Sequence, residues 1–518
     1  MLIVANEYVV DSKENSDFMY DLIDKVIKEA GPRPPCSPAE KKGALLLAEE
    51  LKPYCDEVKV EEFGAYPQLG VQGWPRRCSL LTMLSALIFL LTPFNPILFP
   101  LVALGIAIFS LLNVYYQYLK CEEWSPKIYP FYKQKKSQNI VGTIKPIGEV
   151  KKRVVYVGHI DSARRFNLLQ YTHEGYVYFI VGGLGSLFIF PILFTIQVIF
   201  SLTGPLPDVI SFFNWVAILL PIGLSLVFLA LVPISAKLMS EKTREKVLFG
   251  AFSKISPYTM LLLFGFIAYS LSYNLMLFNY VMTDPQFFKT DLLLILGSIP
   301  YFTAFFFFLS KDGVPGALDN LSAVAVSACV AKVLKDWKVK YPEMFPKNTE
   351  VVIALVGCEE IGDRGSIAFA KTHAAEYNQI DTTCVVMDTM GDPELLRIFK
   401  RESSTRIDFD AKTYNLLADC AKELKLNYKI LDQPWVSGGT DASGLVTGGL
   451  RAAAMVGLYY GHYLYYYHSD RDNISIINKE RRPCNEYGTD WNNRNMRCAF
   501  ENALKVCVTY LQKKDIEK

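Results

Sequence analysis

The 518 residues carry a net charge of only +2, so nothing in the totals calls for a polyanionic partner, and nucleic acid is not expected. Hydrophobic residues make up 51%, gathered in a few long blocks, which argues against three ordinary soluble domains. Eleven cysteines without a C-x-x-C pair argue against a zinc knuckle or a disulfide framework, and read as buried thiols in a reducing compartment.

In chain order, the polar segment 1–66 comes first. Its start lacks the basic n-region and long apolar run of a secretory signal, so nothing sends the polar parts out of the cytoplasm. Lys41–Leu51 has helical periodicity and Glu57–Phe63 alternates as a strand. The first apolar block runs from Ser79 to Leu119 and breaks at Thr92-Pro93-Phe94-Asn95-Pro96. Its length fits a hairpin of two spans of about 20 residues each, although the short first arm leaves a re-entrant hairpin open. The β-rich run Val154–Val157 then leads into Gly158-His159-Ile160-Asp161.

The second apolar block, Tyr176 to Leu309, divides near 176–202, 209–236, 258–282 and 291–309. Its breaks fall at Gly204-Pro205-Leu206-Pro207-Asp208, at the charged run Lys237–Lys254, and at Thr283-Asp284-Pro285. About six spans are therefore expected. Basic residues alternate between loops: Arg76 and Arg77 before the first span, Lys120 to Lys136 after the second, Arg164 and Arg165 before the third. Lys237 to Lys254 lie between the fourth and fifth, and Lys311 follows the sixth. By the positive-inside rule this makes an integral multipass protein, in the cell membrane, with both termini and every polar segment cytoplasmic. Apart from Asp291 at the very start of the last, the spans contain no Asp, Glu, Lys, Arg or His, which disfavours ion-coupled transport and favours anchoring, packing or guiding a substrate.

Asn320–Lys338 is helical; Val351–Val356 is a strand run ending at Gly357-Cys358-Glu359-Glu360; Cys384–Met387 ends at Asp388; Ala452–Leu458 leads towards His468. The chain reads as α/β: a mainly parallel mixed sheet flanked by helices, interrupted by two helical membrane blocks. Segments 1–66, 135–173 and 311–518 form one discontinuous domain, with 67–134 and 174–310 as insertions.

Ligands collect at the carboxyl ends of parallel strands, and His159, Glu359-Glu360 and Asp388 each stand there. Singly, a strand-end histidine is more often a hydrogen-bonded structural residue, and paired glutamates are usually a solvated loop. Together with His468, Asp161 and Asp319 they supply imidazole and carboxylate without thiolate, a donor set for zinc, with manganese or cobalt as substitutes. Two ions sharing a carboxylate use the set economically and activate a water, leaving one glutamate to take its proton.

The motifs GHIDS, GALDNLSAVA, GCEEIGDRGS, VVMDTMGD and YYYHSDRDN stand in the order found in the co-catalytic di-zinc exopeptidases of metallopeptidase family 28, which this chain resembles over its three polar segments. The resemblance implies Asp319 as bridging carboxylate, one zinc on His159, Asp319 and Asp388, and the other on Asp319, Glu360 and His468. It implies Glu359 as general base, Asp161 as the orienting partner of His159, and Asp472 as a supporting acid. Tyr467 resembles the tyrosine that donates to the oxyanion, with Tyr465 and Tyr466 as rivals.

Three departures stand out. Ser322-Ala323 replaces a small-residue-glycine pair, Ser437 to Ala442 replaces the usual Ser-Asp-His, and the normally short loop between Asp161 and Asp319 holds four expected spans. His173 reads as interfacial, His373 as exposed, His462 as a residue bordering the pocket at most, and Cys358 as a small buried residue. For the free peptide end, Asp441 or Asp392 could meet an amino group, and Arg364 or Arg401 a carboxylate. The expectation is a membrane metallopeptidase, an aminopeptidase first, acting on peptides that reach it along the bilayer. A carboxypeptidase, a glutaminyl-cyclase-like enzyme, a silent scaffold and a transporter with a peptidase-like domain are the rivals.

Overall fold

The computed structural model describes residues 13–70, 73–119, 132–172, 176–203, 295, 302–303, 305–433, 438–458, 466–477 and 497–517. Strands β1 (Glu57–Ala65), β2 (Lys135–Ile144), β3 (Lys152–His159), β4 (Arg164–Phe166), β5 (Leu309–Gly313) and β6 (Thr349–Val356) come first. β7 (Asp381–Asp388), β8 (Leu396–Glu402), β9 (Ile407–Asp408), β10 (Tyr428–Gln433) and β11 (Ala452–Val456) follow. The main sheet runs β1-β2-β6-β3-β7-β11-β8-β10, with β9 on β8, while β4 and β5 form a separate ladder.

The four central strands, β6, β3, β7 and β11, are parallel. They are the apolar runs read from the sequence, because a strand covered on both faces must be hydrophobic on both; all eight residues of β6 are buried. The sheet is mixed because β1, β2 and β8 join by antiparallel pairing. β1 is an edge, and Glu57, Lys59, Glu61 and Glu62 put charge on it, which discourages pairing with another chain.

The helices in the first half are α1 (Lys13–Ala30), α2 (Pro38–Leu51), α3 (Trp74–Phe89), α4 (Leu98–Val114), α5 (Asn167–Thr172) and α6 (Tyr176–Thr203). The second half adds α7 (Leu321–Lys340), α8 (Arg364–Tyr377), α9 (Ala411–Glu423), α10 (Asp441–Thr447), α11 (Ile474–Ile477) and α12 (Arg497–Ile516). The chain steps from β3 through α7 to β6, then back across β3 through α8 to β7. Right-handed crossovers in opposite directions put α7 and α8 on opposite faces. Accordingly α7 packs with β3, α1 and α12, and α8 with β2 and α10. Gly158 lets α7 come close to β3, since a Cβ there would lie 2.9 Å from the Cβ of Ala323. The reversal at β3 also opens a crevice at the carboxyl ends of β6, β3 and β7.

A second apolar core joins α3, α4 and α6 through Phe89, Ala103, Phe190 and Phe194, and Trp74 packs on Phe305. Among the described residues two helices, Leu98–Gln117 and Gly183–Thr203, are long and apolar enough to cross a membrane by length and composition. This is fewer than the six expected. The first expected span is α3, only 16 residues long. Segments 209–236 and 258–282 lie outside the described residues, as does most of 291–309, whose last residue, Leu309, belongs to β5. The chain leaves for this block after β4 and returns in β5, and the two strands pair antiparallel.

The expectation that every cysteine is a thiol needs correction. Cys498 is disulfide-bonded, whereas Cys36, Cys55, Cys78, Cys329, Cys358, Cys384, Cys420 and Cys507 are free.

Candidate metal centre

His159 is the last residue of β3 and Asp388 the last of β7, and Glu359-Glu360 follow the end of β6 after Gly357 and Cys358. Because β3 sits between β6 and β7, register alone brings these ends together. Asp319 precedes α7 across a cis peptide to Asn320, and His468 comes from the loop after β11.

Asp319 stands between the two imidazoles. Its Oδ1 lies 3.2 Å from His159 Nε2 and its Oδ2 lies 3.2 Å from His468 Nε2. Glu360 Oε2 is 3.4 Å from His468 Nε2, and Glu359 Oε2 is 3.7 Å from His159 Nε2. Two groups of three offer ligand atoms within 4.8 Å of one another: His159, Glu359 and Asp388, and His159, Asp319 and Glu360. They overlap the two expected zinc sets without reproducing them, since Glu359 here falls inside one group.

The electrostatics ask for cations. Burial, reinforced by neighbouring carboxylates, pushes Glu359 and Glu360 well above the usual carboxyl range. Burial and Asp319 push Asp388 up to about 7. Asp319 goes the other way: burial opposes its charge, but the His159 and His468 imidazoles overrule it and hold the carboxyl low. Burial lowers His468, whereas at His159 the surrounding carboxylates overcome burial and raise it. His159 Nε2 and His468 Nδ1 are buried without a hydrogen bond of normal geometry. Four buried or nearly buried carboxylates and two imidazoles, with no thiolate, suit zinc or a metal of similar preference.

The supporting residues explain how the ligands are held. Asp161 Oδ1 accepts the Glu359 N–H and Oδ2 accepts the Glu360 N–H, each at 3.1 Å. The sequence places Asp161 as the orienting partner of His159, yet its carboxylate is 3.5 Å from His159 Nδ1, and its backbone carbonyl is nearer at 3.1 Å. Asp161 thus works on both sides, fixing the imidazole through its main chain and the glutamate turn through its side chain. Asp161→Asn puts an amide donor against one of those N–H groups. It is expected to weaken zinc binding about 10–100-fold, measurable by competition with a chromogenic chelator.

Asp472 accepts the Leu318 N–H at 2.8 Å and the Asp319 N–H at 3.1 Å, so it holds the backbone of Asp319. Asn320 donates to the Met387 carbonyl and accepts the Thr389 N–H, both at 3.2 Å, tying the start of α7 to the end of β7. Tyr467 is half-buried and its ring stacks 3.7 Å from that of His468, with its hydroxyl beside Gly438. Tyr466 is fully buried in the main core, and Tyr465 lies outside the described residues.

Two residues were missed by the sequence reading. Arg33, fully buried, donates to the Ile160 carbonyl at 2.9 Å and supplies positive charge near Asp161 and Asp472. Glu402, at the end of β8, is fully buried and accepts from Ser404, Thr405 and the Thr440 N–H. Nothing in the motifs marks either; an isolated arginine in a Pro-rich lead-in and an acid beside Arg401 look like surface residues.

Of the acids considered for a peptide end, Asp392 is taken up by Arg397 at 3.0 Å and by the Glu394 N–H. Asp441 is different: both oxygens are buried without a hydrogen bond, and the Ser366 hydroxyl beside them donates to the Asp363 carbonyl. Burial pushes Asp441 up to about 6. Arg401 is an exposed partner of Asp408 at 3.5 Å. His373, expected to be exposed, is half-buried and 2.9 Å from Glu61. His173 and His462 lie outside the described residues.

The model of peptidase family M28 matches residues 305–482, a stretch that contains Asp319, Glu359, Glu360, Asp388, Tyr467 and His468. No curated protein matches the chain. Among solved structures, the chain is similar to a zinc aminopeptidase from Bacillus subtilis, at 12% identity and a TM-score of 0.44, covering 97% of this chain and 95% of that one. It is also similar to an aminopeptidase from Aneurinibacillus sp. strain AM-1, at 11% identity and a TM-score of 0.44, covering 97% and 94%. A glutaminyl cyclase from Porphyromonas gingivalis gives 10% identity and a TM-score of 0.42, covering 98% and 99%.

Proposed function

With residues 305–482 matched to peptidase family M28, we propose that the chain is a membrane-held, zinc-dependent exopeptidase, and an aminopeptidase first. The observation that carries this reading is Asp319, whose two oxygens each lie 3.2 Å from a different buried histidine, as a carboxylate shared by two metal ions requires. His159, Asp319, Asp388, Glu360 and His468 would hold two zinc ions. Zinc bound there supplies a Lewis acid that acidifies a water and polarises the peptide carbonyl.

The chain's own groups do the rest. Glu359, its backbone fixed on Asp161, takes the water's proton and returns it to the leaving amine. Tyr467, seated on His468, donates to the oxyanion as it develops. Asp441 accepts the free α-amino group, which would satisfy its two buried oxygens.

The substrate in this reading is a peptide with an apolar end, reached along the bilayer, with the peptidase domain on the cytoplasmic side. Two things support it. Leu98, Leu101, Phe188 and Ile192 turn outward from the two long apolar helices. Phe166, on the ladder where the apolar block departs, donates its N–H to the His468 carbonyl at 2.9 Å and sets its ring edge-on 4.3 Å from that of His468.

The test uses the purified full chain in detergent or liposomes, offered matched peptides with free and acetylated N-termini. Release of single N-terminal residues from the free peptides alone, abolished by chelation and restored by zinc, is expected. Release from the carboxyl end, or a cyclised N-terminal product, would overturn the aminopeptidase assignment.

A further inference from the structure

Outside the metal centre, the chain brings two thiols face to face. Cys36 lies in the Pro-rich lead-in to α2 and Cys358 in the turn after β6, 322 positions apart, with their sulfurs 3.4 Å apart. Both residues adopt the left-handed conformation, φ +58° and +57°, uncommon for a side chain of any size. A single carboxylate clamps them: Glu40 Oε2 accepts the Cys36 N–H at 2.7 Å and Oε1 accepts the Cys358 N–H at 3.0 Å. Cys36 is part-exposed, whereas Cys358 is fully buried.

We propose that Cys36 and Cys358 are a modification site, forming a reversible disulfide that acts on the turn carrying Glu359 and Glu360. The oxidant is a small disulfide such as oxidised glutathione. The part-exposed Cys36, as thiolate, attacks one glutathione sulfur; the glutathione S–S bond breaks, leaving a mixed disulfide and one glutathione thiolate. Cys358 Sγ then attacks the Cys36 sulfur, its proton passing to Glu40 Oε1, which lies 3.5 Å away. The second glutathione leaves as thiolate, and both thiolates take up the protons given up by the two cysteines. Two thiols are oxidised and one disulfide is reduced.

The structural consequence follows from distance. A disulfide needs its sulfurs about 2.05 Å apart, so the present 3.4 Å must shorten. Cys358 is bonded directly to Glu359, whose N–H and that of Glu360 are pinned on Asp161. Drawing Cys358 towards Cys36 pulls against that pin and displaces the general base. A displacement of about 1 Å at reacting groups costs on the order of 10²-fold in rate.

The bond itself is independent of the peptidase reading; its effect on turnover rests on it. The experiment exposes the full-length protein to millimolar oxidised glutathione, then alkylates the remaining thiols and maps peptides by mass spectrometry. A peptide pair joined through Cys36 and Cys358, released by dithiothreitol, is expected, together with a roughly ten- to hundredfold fall in residue release that reverses on reduction. Cys36→Ser should keep basal release, form no such pair and ignore the oxidant. Recovery of Cys36 only as thiol or glutathione adduct would overturn the bond, and a joined pair with undiminished release would overturn the switch. A protein that releases nothing even when reduced speaks against the peptidase reading, and the mass map alone then decides the bond.

Discussion

Glu359→Gln is expected to lower kcat by on the order of 10²–10⁴-fold while zinc remains bound. The substitution keeps the shape of the side chain and leaves the Glu359 N–H on Asp161 undisturbed. What it removes is the ability to accept a proton. The measurement must follow zinc content alongside rate, because Glu359 also falls within ligand distance of His159 and Asp388. A general base leaves two zinc ions in place when changed to glutamine, whereas a ligand loses one. Retained zinc with unchanged kcat would remove Glu359 from the mechanism.

The second large effect concerns the shared carboxylate. Asp319→Asn is expected to abolish residue release and to weaken zinc binding by more than the roughly 10–100-fold typical of supporting partners. The amide can offer one oxygen, but not an anionic oxygen to each of two metals. It also puts an N–H₂ group against one of the two histidine nitrogens, each now 3.2 Å from a carboxylate oxygen. Asp472 would still hold the backbone of residue 319 through its N–H, so the loss reports the side chain rather than a collapsed loop. Calorimetric zinc titration of the variant beside wild type separates the two sites. Two sites of unchanged affinity would show that Asp319 is not shared.

What could be read from the sequence follows the physics of burial. β3, β6, β7 and β11 were legible because strands covered on both faces are unbroken apolar runs. Their ends then marked His159, the glutamate pair and Asp388. The flanking strands are less legible: β1 alternates, but β2, β8 and β10 carry polar residues among their apolar ones and have no clear period. His468 sits on a loop, where periodicity says nothing; its type and its place after the β11 run make it a candidate, and the resemblance assigns it to a metal.

Charged residues were the hardest to place, since their partners are set by tertiary contact. Arg33 and Glu40 look like solvated charges in sequence, yet both are fully buried beside the site. Asp392 is a spare acid in sequence, but in the fold Arg397, five residues on, occupies it. Asp161 was correctly placed at the strand end, but which partners its oxygens chose depended on where the β6 turn lands. The long apolar block was legible as a block, though helix length cut the first expected span to 16 residues.

The number of zinc ions bound per chain tests the account most directly. Full-length protein, purified in detergent and freed of loosely held metal, should carry two zinc ions by elemental mass spectrometry. The number should stay at two in Glu359→Gln and fall in Asp319→Asn. One zinc per chain in fully active wild-type protein would contradict a centre built on a shared Asp319.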